Sequence, residues 1–192
     1  MENTRKTQYS VDALFINRRS SRAFSQELLT EEELMTLFEA ARWTPSSYNY
    51  QPWRFVYVQK GMHEWQNFFD ILDSFNQSWA TKANVLVIVL AKKTYDFNGQ
   101  LNVSASYDVG ASCQSLLLQA SLKKINAMIM GGFDSAKVTS ILNLSSEYKP
   151  EVMIALGKPG TNADVAEKFQ SKEGFSTRKL LEQIVFKGSF KP

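Results

Sequence analysis

The chain has one cysteine, Cys113, and one histidine, His63. A single cysteine forbids an intramolecular disulfide and fits a reducing compartment. One cysteine and one histidine, far apart in sequence, do not make a tetrahedral zinc set, so no metal site is expected. No histidine-containing triad can form without His63, which falls in a turn-like surface stretch. The patterns Gly-x-Ser-x-Gly, Gly-x-x-x-x-Gly-Lys-Ser/Thr and Gly-x-Gly-x-x-Gly are all missing. That removes the hydrolase elbow, the P-loop and the Rossmann fingerprint. The longest apolar run, Val85 to Ala91, is too short to span a bilayer. The opening MENTRKTQYS has no apolar leader stretch, so a cytoplasmic setting is expected. The 22 basic and 19 acidic residues nearly balance at +3, which demands neither nucleic acid nor membrane. An enzyme without base, nucleophile or metal needs an organic cofactor that brings its own chemistry.

What is present is enough for a core. Apolar residues make up 44% of the 192 positions, consistent with one domain or one domain plus an arm. Ser10 reads as the N-cap of a short helix with Val11, Leu14 and Phe15 on one face. Thr30 and Glu33 form a capping box ahead of Leu34, Leu37, Phe38 and Ala41, and Pro45 stops that helix. Phe55 to Val58 reads as a strand. Residues 62–80 carry aromatics at helical offsets. Val85 to Leu90 is a β-branched run suited to a strand buried on both faces. Residues 104–122 form a long helix with Val109, Cys113 and Leu116 inward, so Cys113 reads as core packing rather than as a nucleophile. A strand from Ala127 to Met130, a helix capped by Asp134 or Ser135, and a strand from Val152 to Leu156 follow. Residues 161–177 lack a period and read as a surface loop. The alternation predicts an α+β fold, a mixed α/β sandwich around one sheet. The domain covers residues 1–160, with 161–192 as a loop and arm.

Two segments carry chemistry. Thr44-Pro45-Ser46-Ser47-Tyr48-Asn49-Tyr50-Gln51-Pro52-Trp53 offers hydroxyls and amides with no carboxylate and no base. It suits holding a flat polar ligand by hydrogen bonds. Arg18-Arg19-Ser20-Ser21-Arg22 suits an anionic group, because guanidinium forks bind phosphate bidentately. A plainer reading of the arginines is a cationic helix end that complements the dipole.

Together with Ala40-Ala41-Arg42, Asn76-Gln77-Ser78-Trp79-Ala80, Gly131-Gly132-Phe133-Asp134, Ile154 to Pro159 and Arg178, these blocks resemble the nitroreductase family of FMN-dependent oxidoreductases, in family order and over nearly the whole chain. The resemblance implies a central, mostly antiparallel sheet flanked by helices, and an intertwined homodimer with FMN at the subunit interface. It implies that Arg18, Ser20 and Arg178 hold the phosphate end, with Arg19 beside them. Arg22 and Asn76 match residues at the pyrimidine edge of the flavin, where a cation favours the reduced ring. Met130, Gly131 and Gly132 match the strand end and loop whose backbone N–H points at flavin N5. Pro45, Ser46, Ser47 and Asn49 match the segment that contacts the flavin from the second subunit. Two departures stand out: Trp79 and Gly131 occupy positions where some relatives have lysine and glutamate.

The implied activity is transfer of hydride from NADH or NADPH, through flavin N5, to nitroaromatic or quinone acceptors by a ping-pong scheme, with no catalytic side chain. Alternatives on the same fold are heterocycle dehydrogenation, dehalogenation, flavin fragmentation, or flavin binding without turnover. A nucleic-acid binder built on the arginines is disfavoured by the near-balance of charge and by Glu31-Glu32-Glu33 close by.

Overall fold

All eight residues of the strand Val85–Lys92 (β2) are buried, and the rest of the chain is arranged to bury them. In the computed structural model, which describes residues 3–190, β2 is flanked by Trp53–Gln59 (β1) and Tyr148–Gly157 (β4). The strand Asn126–Met130 (β3) lies beyond β4, giving the order β1-β2-β4-β3 with every pair antiparallel.

Side chains of β2 alternate between two apolar layers. Val85, Val87 and Val89 face the helices Glu31–Arg42 (α2) and Ala105–Leu122 (α5), where Leu34, Leu37, Cys113 and Leu116 complete the core. Leu86, Ile88 and Leu90 face the other side, toward Trp65–Phe69 (α3), Ser74–Ala80 (α4) and Ser135–Ile141 (α6). Two helical layers on one antiparallel sheet is the α+β sandwich that the pattern predicts. Among the described residues, no helix is long and apolar enough to cross a membrane.

The capping box at α2 forms as read. Thr30 Oγ1 accepts from the Glu33 N–H at 3.2 Å, and Glu33 Oε2 accepts from the Thr30 N–H at 2.9 Å. Replacing Thr30 with alanine removes one half of this exchange. Thermal or denaturant unfolding should then report a loss of about 1 kcal/mol.

Several boundaries differ from the sequence reading. The first helix is Ala13–Asn17 (α1), and its cap is Asp12 rather than Ser10: Asp12 Oδ1 accepts from the Leu14 N–H at 2.7 Å. A carboxylate on the residue just before the first turn outcompetes the earlier hydroxyl. β4 begins at Tyr148, ahead of Pro150, because a register shift in the β2–β4 ladder lets the strand pass the missing proline donor. Residues 161–177 are not all loop: Glu167–Gln170 is a short helix (α7), and Val165 and Phe169 are buried in the α4 layer. Phe169 earns a helical turn by its contacts, without the repeating pattern that reveals longer helices.

The run 18–25 is extended and pinned on two sides. Ser20 bridges Ala127 of β3 in parallel, and Phe24 bridges Pro159. Ala23 O accepts from the Gly160 N–H at 2.9 Å, and the Ser25 N–H donates to Lys158 O at 3.0 Å. The arginines between these anchors are therefore presented by a fixed backbone.

Candidate functional site

Arg5, Arg18 and Arg178 gather at one end of the molecule. Burial and the neighbouring Arg178 lower the affinity of Arg18 for its proton, and burial, Arg178 and Arg18 do the same to Arg5. Three neighbouring guanidiniums favour an anion. Among the described residues, none of the three forms a salt bridge. Carbonyls and a hydroxyl hold them in place. Arg5 Nη1 donates to Ile16 O at 2.8 Å and Arg18 O at 2.7 Å, and Arg5 Nε donates to Ser176 O at 3.0 Å. Arg178 Nη1 donates to Ser176 Oγ at 2.8 Å.

Arg22 sits farther along the pinned run. Its guanidinium lies 5.5 Å from the Trp79 ring centre and 5.1 Å from that of Phe169, a cation–π sandwich. Arg22 Nε and Trp79 Nε1 are both buried donors without a protein acceptor. Such groups are costly unless something else accepts from them. Arg19 pairs with a carboxylate: its Nη1 donates to Glu173 O at 2.6 Å and Glu173 Oε2 at 3.2 Å.

The loop after β3 is built around Gly132. The Gly132 carbonyl accepts from the Asp73 N–H at 3.1 Å and from Asn76 Nδ2 at 3.0 Å. Asp73 caps α4, accepting from the Asn76 N–H at 2.7 Å. A Cβ on Gly132 would overlap Asp73 Oδ2 and lie 2.7 Å from Asn76 Nδ2, whereas one on Gly131 would meet nothing within 4 Å. Gly132 is thus required by close approach, and Gly131 is not. Met130, the last residue of β3, is buried beneath this loop.

Pro45, Ser46, Ser47 and Asn49 lie elsewhere. The Ser47 N–H donates to Asp108 Oδ2 at 3.1 Å, in the first turn of α5, and Ser46 Oγ accepts from the Gln51 N–H at 2.9 Å. Tyr48, Asn49 and Gln51 all have φ near +50°, a left-handed conformation that costs non-glycine residues energy. By contrast, Arg18 and Arg19 line a pocket with Leu117 and Ser121, near the far end of the same helix. From Asp108 to Ser121 is about 20 Å along the axis. One chain thus sets Arg18 beside Arg178, Arg22 beside Trp79 of α4, and Asn76 of α4 against Gly132, with Ser20 in the run between the arginines, Met130 and Gly131 next to Gly132 and Arg19 paired to Glu173, while the 45–49 segment is anchored near the opposite end of α5 from Arg18.

The two excluded groups stay excluded. His63 is exposed in a turn beside Glu64. Cys113 is buried in the α5 layer, and burial pushes its thiol up to about 12. A thiol reagent should therefore label the native protein negligibly over minutes and label the denatured chain fully, which a colorimetric titration checks. Among the described residues, no cluster of ligating side chains could hold a metal ion.

The sequence pattern of the Nitroreductase family matches residues 16–74 and 62–158. The chain belongs to the nitroreductase family. An oxygen-insensitive NADPH nitroreductase of Helicobacter acinonychis is 30% identical over 76% of this chain and 85% of its own. Protein DrgA of Synechocystis is 28% identical over 88% of this chain and 93% of its own. A crystal structure of an oxidoreductase containing FMN superposes with a TM-score of 0.94 at 34% identity, covering 100% of this chain and 98% of that one. A Desulfovibrio desulfuricans protein crystallised with FMN shares the fold at a TM-score of 0.75 and 22% identity.

Within this nitroreductase-family site, sequence reasoning missed Arg5, Asp73, Phe169 and Glu173. Arg5 lies in an unpatterned N-terminal stretch with no local signal. Asp73 carried one, since an aspartate three residues before Asn76 is an N-cap pattern. Glu173 and Phe169 reach the arginines only through tertiary folding.

Proposed function

We propose that the chain is a homodimeric FMN-dependent oxidoreductase that takes electrons from NADH or NADPH and delivers them to nitroaromatic or quinone acceptors in a ping-pong scheme. The observation that carries this reading is the Arg5–Arg18–Arg178 cluster, three neighbouring cations that form no salt bridge among the described residues. A dianionic phosphate ester satisfies it. Membership of the family and the likeness to an oxidoreductase containing FMN support the choice of ligand.

The other donors fit the rest of FMN. Ser20 stands between the phosphate end and Arg22. The buried Arg22 Nε lacks an acceptor, which the pyrimidine edge of a flavin supplies. Asn76 is held by Gly132 through its amide nitrogen, leaving its carbonyl oxygen for a ring N–H. Gly132 lets Asp73 and Asn76 close on the loop after β3, and the open space at Gly131 leaves that main chain accessible to a flat ring.

FMN, when bound by these residues, would supply the redox chemistry of the site. The protein orients the ring, excludes water from one face and sets the local field. No side chain of the site is placed as a general base, so solvent supplies protons. The separation of the 45–49 segment from the arginines supports a two-chain site, in which that segment edges the flavin held by a second copy. The largely exposed residues 176–190, with Leu180, Leu181, Ile184 and Val185 outward, are the arm that would embrace the partner.

The test is spectroscopic. The purified protein should be yellow, FMN should raise the apoprotein melting temperature, and NADH or NADPH should bleach the flavin band without oxygen. A colourless protein that FMN does not stabilise would contradict the reading.

A further inference from the structure

Glu173 is 2% exposed and stands at the centre of the arginine run. Ser21 Oγ donates to its Oε2 at 2.7 Å, and the Arg22 N–H donates to Oε1 at 3.1 Å. Arg19 Nη1 pairs with Oε2 at 3.2 Å, and Arg22 Nη1 lies 3.6 Å from Oε1. A buried carboxylate is retained only when such donors saturate it. Glu173 ties the segment before Arg178 to the run that carries Arg18, Ser20 and Arg22. It also stands beside the Arg22 guanidinium that Trp79 and Phe169 contact.

Arg22 is therefore held by two rings and one carboxylate, while its buried Nε has no protein acceptor. We infer that Glu173 is a positioning residue for the cofactor ring: it aims Arg22 and offsets part of its charge, so that the site holds the flavin potential lower than a bare arginine would. This rests on the FMN reading above. A carboxylate beside the guanidinium weakens the field that stabilises negative charge on a ligand at its Nε edge. Trp79 adds no compensating cation on the adjacent face.

The experiment uses the FMN-loaded protein and three forms: wild type, Glu173→Gln and Glu173→Asp. Glu173→Gln keeps the size and one accepting oxygen but deletes the charge. Sulfite, which adds to N5 and leaves negative charge on the ring, should bind the Gln form about tenfold more tightly than wild type. The two-electron midpoint potential should rise by the equivalent of that tenfold change, about 30 mV. Glu173→Asp restores the charge and should return both values to within about twofold of wild type in affinity terms. A role confined to folding predicts lower melting temperatures for both variants with sulfite affinity and potential unmoved, and that result overturns the inference. If Glu173→Gln does not fold, Ser21→Ala is compared with wild type: it removes one donor to the carboxylate and leaves more of its charge acting on Arg22, so sulfite should bind more weakly and the potential should fall. An unmoved potential there overturns the inference as well. Wild-type protein that takes up no FMN overturns the FMN reading and this inference together. Flavin uptake with unchanged sulfite affinity overturns this inference alone.

Discussion

Replacing Arg178 with alanine should weaken FMN binding by roughly tenfold to a hundredfold, about 1.5–3 kcal/mol for a lost charged hydrogen bond, without weakening the apoprotein. The second half of that expectation separates a ligand site from a structural ion cluster. Arg178 lowers the proton affinity of both Arg5 and Arg18, and the described part of the chain offers the three no carboxylate. Removing one cation relieves repulsion in the empty protein, so its melting temperature should hold or rise slightly. Removing it from the loaded protein strips a partner from the phosphate. Arg18→Ala should behave alike toward FMN, and the double variant should lose more than either alone. Fluorescence titration of FMN, whose emission changes on binding, together with melting curves of both forms, reads out the prediction. Raised ionic strength should weaken wild-type binding and narrow the gap to the variant, because exposed parts of the cluster are screened.

Gly132→Ala should be the most damaging single-methyl change in the site, whereas Gly131→Ala should be nearly silent. The added Cβ on Gly132 would overlap the Asp73 carboxylate and crowd the Asn76 amide. Moving Asp73 aside breaks the cap it places on α4. Moving Asn76 aside breaks its bond to the Gly132 carbonyl. Overpacking of this kind costs about 1–3 kcal/mol, and loss of the cap adds about 1 kcal/mol. FMN binding should fall as well, since the same shift moves Asn76 and the turn beneath the ring. The Gly131 site is open, and its backbone suits any residue, so alanine there should change stability by no more than about 0.5 kcal/mol. Unfolding curves of the two variants side by side check the contrast.

Much of this architecture was legible in the chain. The run Val85 to Leu90 announced a central strand, because six apolar residues in a row leave neither face polar. The α2 capping box announced its start through two side chains three apart. What could not be read were features made by tertiary contact. Asp12 displaced Ser10 as a cap, since both fit the local pattern and only geometry chooses. α7 escaped notice because one buried aromatic, Phe169, gives no period. Within the site, the arginine run and the Gly131–Gly132 turn were visible as motifs. Their wiring through Arg5, Asp73 and Glu173 was not, because Arg5 and Glu173 lie 168 residues apart in sequence and meet the run only in the folded chain.

The 45–49 segment is the test of assembly. Ser47 is anchored near the start of α5, while the arginines stand near its end. If the flavin site is shared between two chains, damage to its two halves should complement. Arg18→Ala/Arg178→Ala breaks one half, and Ser46→Ala/Asn49→Ala breaks the other. The two variants, unfolded and refolded together, should yield mixed dimers that each keep one intact site. Native mass spectrometry should find those mixed dimers carrying a single FMN, while neither variant alone retains it. Mixed dimers without FMN, or wild-type monomers that bind it fully, would contradict the shared site.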